Sequence, residues 1–435
     1  MNFFKVNVEL KKILDTLSKS GFEVYLVGGC VRDLLLKREP KDWDISTSAT
    51  VDQMLSIFKD EGYTIVPAGL QHGTVTVVIN KEMYEITSFR GKNIIDDLRW
   101  RDFTINALAL DTENNVIDPE GGLGDIKSKI IRSANPERAI KDDPLRMLRA
   151  IRFKAQLGFR IEDETKKSIL KLNNLLGNVS VERIRDEFNK IILSDPYAVF
   201  DLVDHRLMKF ICPEFLGTIG VDQKNPNHHL DIANHIVESM VAAPANLVLR
   251  LTMFFHDVGK TQTMKVDSEG VGHFYSHNTV SEEIAHKTLK RLKYSNKITK
   301  TVTHLIHYHD SFPEENIRSV RRFLNKHGIE YTELFFHVWR ADMKAQEPTR
   351  LREKLDTINE VEEIFKDIKR STPALSLKDL EINGNDLIKL GVQKGPEIGN
   401  ILNKLLEIVL DDPSKNQRNT LIRLAKKIEE SQKEN

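Results

Sequence analysis

The spacing of hydrophobic and polar positions changes near residue 135. Before it, short apolar runs bounded by Gly, Asn and Asp predict strands, and residues 74–79 alternate as a half-buried strand does. The strands predicted in this way are 24–27, 42–46, 64–67, 74–79, 84–87, 107–110 and 116–118. After residue 136 apolar residues recur at spacings of three and four, as at Leu145, Leu148 and Ile151. The pattern predicts a small α/β unit followed by helices to the end of the chain.

The length of the chain favours several units. A single hydrophobic core stops growing at about 250–300 residues, and this chain has 435. We expect an α/β head at 1–135, a helical neck at 136–200, a helical body at 201–350 and a helical tail at 351–435.

Composition indicates where in the cell the protein works, but it does not indicate what the protein binds. The 64 Lys and Arg balance the 64 Asp and Glu, so any contact with nucleic acid must come from local clusters of charge. Cys30 and Cys212 form neither a disulfide framework nor a metal pattern. No apolar run reaches the roughly 18 residues that span a membrane, and the first residues lack the pattern of a signal peptide. We therefore expect a cytoplasmic protein with no membrane partner.

The densest chemical signal lies between residues 26 and 45. A predicted strand ends in Gly28 and Gly29, where the backbone can approach a phosphate, and Arg32 follows where its guanidinium can bind a triphosphate oxygen. Asp42 and Asp44 are two apart in a predicted strand, which places both carboxylates on one face. Such a pair can hold one or two Mg²⁺ ions for in-line attack by a 3′-hydroxyl. A Gly-Gly turn followed by a solvated acidic pair is the simpler alternative.

These residues resemble the signature of the DNA-polymerase-β-like nucleotidyltransferases. They are most similar to the bacterial (class II) tRNA nucleotidyltransferase and poly(A) polymerase family, and the similarity continues through residues 101–107, 118–126, 143–153 and 180–187. The chain departs from the family pattern at two positions, with Trp100 in place of a second Arg and Asp142 in place of Glu.

The resemblance implies a fold and an activity. The fold is a polymerase-β-like α/β head followed by an all-α neck, body and tail. The activity is template-independent addition of nucleotides to the 3′ end of tRNA, with two Mg²⁺ ions as cofactor and release of diphosphate. The catalytic and metal-binding residues are then Asp42 and Asp44.

The resemblance also implies a set of nucleotide-binding residues. They are Gly28, Gly29, Arg32, Arg101, Asp102, Asn106, Asp143, Arg146, Arg149 and Arg152. Among them Asp143 only accepts hydrogen bonds and Arg146 only donates them. Cytosine and adenine show an amino donor beside a ring-nitrogen acceptor, so this pair fits C and A and rejects U and G. The sequence Asp143-Pro144 predicts a helix start. The alternative is that Asp143 only caps that helix and the arginines form a solvated face.

Histidines concentrate in the predicted body, where 12 of the 14 fall between residues 228 and 337. Part of this stretch, at about 228–330, is similar in its spacing to the HD phosphohydrolase family. The residues that carry the similarity are His235, His256, Asp257, His277 and Asp310. Such a set can hold a divalent metal and activate water for phosphoester cleavage. We expect a second metal site here, and the alternative is an HD-like scaffold without metal. A phosphohydrolase whose head only binds nucleotides is the alternative function from another class.

The tail resembles the tRNA-contacting end of the same nucleotidyltransferases, at 381–387 and 395–399. Its basic residues include Lys404, Lys415, Arg418, Arg423, Lys426 and Lys427. They supply the local positive charge that binding a phosphate backbone needs. We expect tRNA to be bound by both its 3′ end and its body. A helical hairpin that only packs is the alternative, and a tRNA-binding factor without catalysis would not need Asp42 and Asp44.

The segment between Arg90 and Arg101 has only ten residues. Relatives that build the complete CCA end carry a longer loop there, thought to re-aim the base reader from CTP to ATP, and relatives that add only CC lack it. We therefore expect CTP as substrate and two added C residues, with a separate A-adding enzyme acting on the same tRNA. Full CCA addition with ATP as second substrate is the first alternative. Poly(A) polymerase or an A-adding enzyme is the next.

Overall fold

The computed structural model describes residues 7–66, 73–80, 82–226, 228–371 and 376–433. The chain divides into two compact units, Met1–Ile211 and Cys212–Asn435. None of the helices in the described part of the chain is long and apolar enough to cross a membrane.

A seven-stranded mixed sheet forms the centre of the first unit. The strands of this unit are β1 Val24–Val27, β2 Asp44–Thr47, β3 Thr64–Val66, β4 Thr74–Ile79, β5 Glu82–Ser88, β6 Ala109–Leu110, β7 Val116–Ile117, β8 Ile130–Ile131 and β9 Arg160–Ile161. The order across the sheet is β3-β4-β5-β2-β1-β6-β7. Only the β2–β5 pair in it is parallel. The strands predicted at 24–27 and 74–79 are confirmed at both ends, while Pro67 lies outside the described residues.

Helices cover this sheet and continue beyond it. They are α1 Val8–Lys19, α2 Gly29–Leu35, α3 Val51–Asp60, α4 Ile94–Arg99, α5 Gly122–Ser128, α6 Pro136–Asp142, α7 Arg146–Leu157, α8 Asp163–Leu172, α9 Val181–Ser194 and α10 Ala198–Asp204. Apolar side chains of α1 and α3, such as Leu10, Ile13 and Phe58, pack with Ile45 and Val75 of the sheet in one buried core. Because β2 lies inside this sheet, the core fixes the strand that begins with Asp44.

Two sequence predictions about the start of the helical region are wrong. The helix expected to start at Asp143 instead begins at Arg146, and Asp143 closes α6 in an extended conformation with φ −147° and ψ 102°. Pro144 explains this, because a proline disfavours the helical conformation of the residue before it. Strands also occur among the helices, since β8 and β9 pair in parallel.

The second unit is built of helices with one short hairpin. The hairpin strands are β10 Lys265–Val266 and β11 Gly272–His273, and the helices are α11 Ile232–Ala242, α12 Leu247–Phe255, α13 Lys260–Thr263, α14 His277–Arg291, α15 Asn296–His307, α16 Ile317–His327, α17 Ile329–Lys344, α18 Leu351–Arg370, α19 Gly384–Lys389, α20 Pro396–Asp411 and α21 Arg418–Lys433. Helices α11, α12, α15 and α17 pack together, with Phe254, Val302 and Phe335 fully buried. A separate core forms around α19, α20 and α21.

Candidate functional sites

A cleft of about 1000 Å³ in the first unit brings together the head and neck residues that the sequence singled out. Those that line it are Gly28, Gly29, Arg32, Asp42, Asp44, Arg101, Asp102, Asn106, Asp143, Arg146, Arg149 and Arg152. Residues from α2, β2 and α7 therefore face one space, although up to 124 positions separate them in the sequence, from Gly28 to Arg152.

The two acidic residues reach the cleft from different local structures. Asp44 begins β2, but Asp42 lies in the turn before it, so the prediction of two carboxylates on one strand face is wrong. Burial raises the pKa of Asp44, Arg101 opposes this rise, and the charge of Asp42 adds to it. Gly28 has φ +76°, and a Cβ there would lie 2.6 Å from Arg101 Nη1 and 3.6 Å from Asp44 Oδ2. Glycine is therefore needed for this close approach.

The carboxylates of Asp42 and Asp44 fit a hard divalent cation. Mg²⁺ prefers oxygen ligands, usually one or two carboxylates together with substrate phosphates. Neither carboxylate forms a side-chain ion pair or hydrogen bond with another part of the chain that the structure describes. Their oxygens therefore remain available as ligands.

Asp102 connects the arginines of the cleft wall. It is 7% exposed, and its Oδ2 accepts a hydrogen bond from Arg149 Nε at 2.7 Å. Its Oδ1 accepts one from Asn106 Nδ2 at 2.9 Å, and Asn106 Oδ1 accepts one from Arg32 Nη1 at 2.7 Å. Burial alone would raise the pKa of Asp102, but Arg149 outweighs it and the pKa is lowered. Asp102 and Asn106 thus hold two cationic groups in place between α2 and α7.

A second ion pair fixes Arg152. Its Nε lies 2.9 Å from Oε2 of Glu187 on α9, and both side chains are largely buried. The guanidinium groups of Arg32, Arg149 and Arg152 also lie 4.3–5.4 Å from the ring centroid of Phe153. This arrangement concentrates positive charge on one wall of the cleft, as binding a triphosphate requires.

The two predicted base-reading residues each have a partner in the protein. Asp143 is bound by both terminal nitrogens of Arg183, at 3.2 and 2.8 Å. Arg146 Nη2 donates to the backbone carbonyl of Trp100 at 2.7 Å. Arg183 was not among the predicted nucleotide-binding residues, although it lies in the segment 180–187 that carried part of the resemblance. Arg183 thereby fixes the orientation of the Asp143 carboxylate.

A cluster of imidazoles and carboxylates lies in the second unit. Two groups of three share Asp257, namely His235, His256 and Asp257, and Asp257, His277 and His309. Asp342 of α17 joins the first group, with Oδ1 3.0 Å from His235 Nε2. Of the adjacent pair His309-Asp310, the sequence prediction took Asp310 as the ligand rather than His309. It did not include Asp342, which stands in no local motif with the other residues of the cluster.

The histidines of this cluster are held in one orientation by the backbone. Their Nδ1 atoms lie 2.7–3.2 Å from the carbonyls of Ala345, Met253, Phe274 and Ile306. An Nδ1–H that donates to a carbonyl leaves the Nε2 lone pair free for a metal. The Nε2 atoms meet in pairs, 3.3 Å apart for His235 and His256 and 3.3 Å apart for His277 and His309.

The imidazoles and carboxylates of the cluster stabilise each other's charged forms. Burial lowers the pKa of His256, but the carboxylates of Asp257 and Asp342 outweigh it and raise this pKa to about 10. The pKa of Asp257 is held well below its usual range, since His256 and Lys260 outweigh its burial. Asp257 Oδ1 is buried and makes no hydrogen bond. A divalent metal fits here, because it would bind that oxygen and replace the protons between imidazole and carboxylate.

A cavity of about 260 Å³ opens beside the cluster, and Asp310 lies at its rim. Asp310 is 53% exposed, and its Oδ2 is 3.3 Å from His277 Nε2. The structure therefore brings all five predicted HD-like residues into one region, with Asp310 more exposed than the others. Lys260 is buried there, with its Nζ 2.7 Å from Asp257 Oδ2.

In the tail, Gly395 precedes α20 and Pro396 is the first residue of the helix, a position that proline favours. One predicted basic residue has a packing role. Arg418 Nη2 lies 2.5 Å from Oδ1 of the nearly buried Asp386.

Comparisons with known proteins match the two units to one kind of protein. The model of the poly A polymerase head domain matches residues 24–132. The RNA and SrmB-binding site of polymerase A matches 158–217, and tRNA nucleotidyltransferase domain 2 matches 270–425.

Full-length relatives agree with these matches. A CCA-adding enzyme of Lactobacillus helveticus is 30% identical over 433 residues, covering 94% of both chains. Among solved structures, the Bacillus stearothermophilus CCA-adding enzyme in complex with CTP superposes with a TM-score of 0.75 at 25% identity, over 98% of both chains. The Thermotoga maritima CCA-adding enzyme complexed with tRNA shares the fold, with a TM-score of 0.61 at 21% identity over 97% of this chain and 96% of that one.

The fold expected from the resemblance, a polymerase-β-like head followed by helices, is thereby confirmed. From this fold and from the length of the alignment we conclude that the chain belongs to the bacterial tRNA nucleotidyltransferase and poly(A) polymerase family.

Proposed function

We propose that this protein is a tRNA nucleotidyltransferase that adds CMP residues to the 3′ end of tRNA. One observation carries the proposal, namely a single cleft that holds two unpaired carboxylates, a wall of arginines and the Asp143–Arg146 pair. The relatives named above are CCA-adding enzymes, and structures of such enzymes contain CTP or tRNA.

The residues of the cleft divide the reaction between them. Arg32, Arg149 and Arg152 bind the triphosphate, and Asp143 with Arg146 orients the base. Asp42 and Asp44 would hold Mg²⁺, which would neutralise the negative charge of the triphosphate. The 3′-hydroxyl oxygen of the tRNA bonds to the α-phosphorus of CTP and releases its proton to solvent, and the bond from that phosphorus to the departing diphosphate breaks.

We further propose that addition stops after two C residues. The segment between Arg90 and Arg101 forms a short turn and α4, and the buried carboxylate of Asp97 ties this helix to the sheet. A reader that fits cytosine must shift to fit a purine, since the pairing edge of a purine lies further from the sugar. This anchored segment offers no long loop to drive that shift. A separate A-adding enzyme must then complete the same tRNA.

Product length tests these two proposals together. A tRNA lacking its 3′ end is incubated with the full-length protein, Mg²⁺ and all four NTPs, and products are resolved on a sequencing gel. We expect extension by two C residues. Extension by CCA would overturn the stop after CC, a long A tract would make the protein a poly(A) polymerase, and no extension would overturn the transferase itself.

Replacing Asp42 or Asp44 by Ala tests the assignment of the catalytic carboxylates. Each change should abolish incorporation while tRNA binding survives, because the other aspartates that line the cleft, Asp33, Asp102 and Asp143, are each engaged by an arginine. Glu39→Ala is the matched control and should leave incorporation largely intact, since this acidic residue also lines the cleft but is exposed. Normal incorporation by either variant at matched concentration would show that the assignment is wrong.

The cluster of the second unit favours a second, independent function. We propose that His235, His256, Asp257 and Asp342 hold one divalent metal, and that His277 and His309 with Asp257 hold another beside it. Asp310 lies at the rim, within reach of His277 and His309. Metal held there would activate water, whose oxygen would bond to a phosphoester phosphorus while the ester P–O bond breaks and the leaving alcohol takes up a proton.

Metal content and hydrolysis test this second function. The full-length protein is dialysed against Mn²⁺ and then against metal-free buffer, and bound Mn²⁺ is measured. We expect retained Mn²⁺ and slow phosphoester hydrolysis, both lost in the His256→Ala/Asp257→Ala variant. A folded wild-type protein that retains no more metal than this variant would contradict the proposal.

A further inference from the structure

Trp100 follows α4 directly and contacts the base-reading arginine through its backbone. Its carbonyl accepts the hydrogen bond from Arg146 Nη2 at 2.7 Å. Its ring lies beneath the guanidinium of Arg138 on α6, with 4.4 Å between Cζ and the ring centroid. We propose that Trp100 and Arg138 form a clamp that holds Arg146 in the position that fits a pyrimidine. The clamp makes them specificity-determining residues, an inference that rests on the proposed nucleotide addition.

The clamp stands on a rigid support. Asp97 of α4 is 2% exposed. It accepts hydrogen bonds from Ser46 Oγ and from the Arg90 backbone N–H, each at 3.1 Å. Leu98 of the same helix is fully buried. These contacts hold α4 in place, and the contact with Arg138 holds Trp100, the residue directly after the helix.

Arg138 is held from two sides. Its Nε lies 3.6 Å from Asp142 Oδ2, four residues along α6, while its guanidinium covers the Trp100 ring. The carboxylate of Asp142 and the ring of Trp100 therefore fix the same guanidinium.

The clamp affects the choice between CTP and ATP because it sets the position of the Arg146 guanidinium. A purine brings its pairing edge deeper into the reader, so Arg146 must withdraw before ATP fits. Withdrawal breaks a hydrogen bond whose donor is charged, and such bonds are stronger than neutral ones. It also pulls on the cation–π contact of Arg138 with Trp100. CTP leaves both contacts intact, so the clamp favours CTP over ATP.

The choice of the first nucleotide tests the clamp. The full-length protein is given a tRNA ending before its first C, with CTP alone or ATP alone, and kcat/KM is measured for each. Trp100→Ala and Arg138→Ala should each lower the CTP/ATP ratio of kcat/KM by about two- to fivefold, the range of an exposed cation–π contact. ATP efficiency should rise, which damage to the fold would not produce.

Two matched variants separate the clamp from general effects. Trp100→Phe retains a ring for Arg138 and should keep most of the ratio. Arg99→Ala removes a neighbouring, 60% exposed arginine that pairs with Glu120, and it should leave the ratio unchanged. Since Arg138 is exposed, Arg138→Ala should fold even where Trp100→Ala does not.

Each negative outcome points to a different error. An unchanged ratio in Arg138→Ala, or an equal loss of CTP and ATP efficiency, would overturn the clamp. A wild-type protein that adds neither nucleotide would overturn the transferase function on which the clamp rests. Addition of A at the third position by the wild type would contradict only the stop after CC, because the clamp is measured at the first position.

Discussion

At the scale of single residues, the proposed choice of base rests on Asp143 and Arg146. Replacing either by Ala should reduce the preference for CTP over UTP, by about 1–3 kcal/mol for a bidentate contact. Triphosphate affinity should change less, since Arg32, Arg149 and Arg152 remain. The measurement is kcat/KM for CTP and UTP together with the Kd of CTP. Unchanged CTP/UTP selectivity in both variants would mean that the base is read elsewhere.

Arg183 belongs to the same unit of recognition because it binds both oxygens of Asp143. Arg183→Ala should lower CTP/UTP selectivity in the same direction but less than Asp143→Ala, since the acceptor remains and only its orientation is lost. Arg185 of the same helix, which pairs with Asp186, offers the control Arg185→Ala. Selectivity equal to wild type in Arg183→Ala would show that the pairing does not orient the reader.

The charged carboxylate of Asp44, which the proposed transfer needs, lowers the stability of the folded protein. Its pKa is raised, chiefly by burial, so the folded protein carries the charged carboxylate at a cost near neutral pH. Asp44→Asn removes that cost, and in EDTA it should raise Tm at pH 7 while abolishing transfer. The gain should vanish below the ordinary Asp pKa of about 3.9, where the wild-type carboxyl is protonated both folded and unfolded. A lower Tm at pH 7 would contradict this account.

The sequence identified the residues of the head and neck cleft because their motifs occur along one stretch of chain. It missed Arg183 as the partner of Asp143, since an ion pair between two helices leaves no local spacing. It took Asp310 instead of its neighbour His309, which is the one that meets Asp257 and His277, and it missed Asp342 because no motif marks that position. Ligands of the second cluster come from α11, α12, α14, α17 and the end of α15, and only the fold brings those helix positions together.

At the scale of elements, α4 depends on one buried carboxylate. Asp97→Asn keeps the shape of the side chain but removes the charge that pairs with Arg101 Nη2 at 3.3 Å. Loss of a buried charged partner should lower the free energy of unfolding by about 1–3 kcal/mol, as measured by urea denaturation. Asp96→Asn, on the exposed side of the same helix, should cost less. Equal effects of the two changes would show that Asp97 does not anchor α4.

Element boundaries were predictable where alternation and turn residues agreed, as at β1 and β4. They were less predictable where two local signals competed. Asp143 is a good helix cap by residue type, but Pro144 extends the backbone before it and moves the helix start to Arg146. The two-residue strands β8 to β11 are too short to show any alternation, so only their pairing in the fold defines them.

At the scale of the whole molecule, the two sites lie in separate compact units, each with its own buried side chains. Replacing His256 and Asp257 together by Ala should therefore leave nucleotide addition within about twofold of wild type, since rates are sensitive to contacts made at the reacting centre. Incorporation is measured on the same tRNA with circular dichroism as a check of folding. A folded double variant that no longer adds CMP would show that the second cluster belongs to the transferase.

The parallel pairing of β2 with β5 has a consequence for how the protein is made. In this pair Asp44 stands opposite Glu85, and the other neighbour of β2 is β1, in which Val24 stands opposite Thr47. A ribosome releases β1 and β2 well before β5, and pairing across so many residues must first overcome the entropy of closing the loop. Until β5 emerges, the strand that begins with Asp44 has an unpaired edge, the kind of surface that other chains can join. Asp44, which we propose as a catalytic carboxylate, thus reaches its final position late in synthesis, and we expect no nucleotide addition by a nascent chain before its fifth strand has docked.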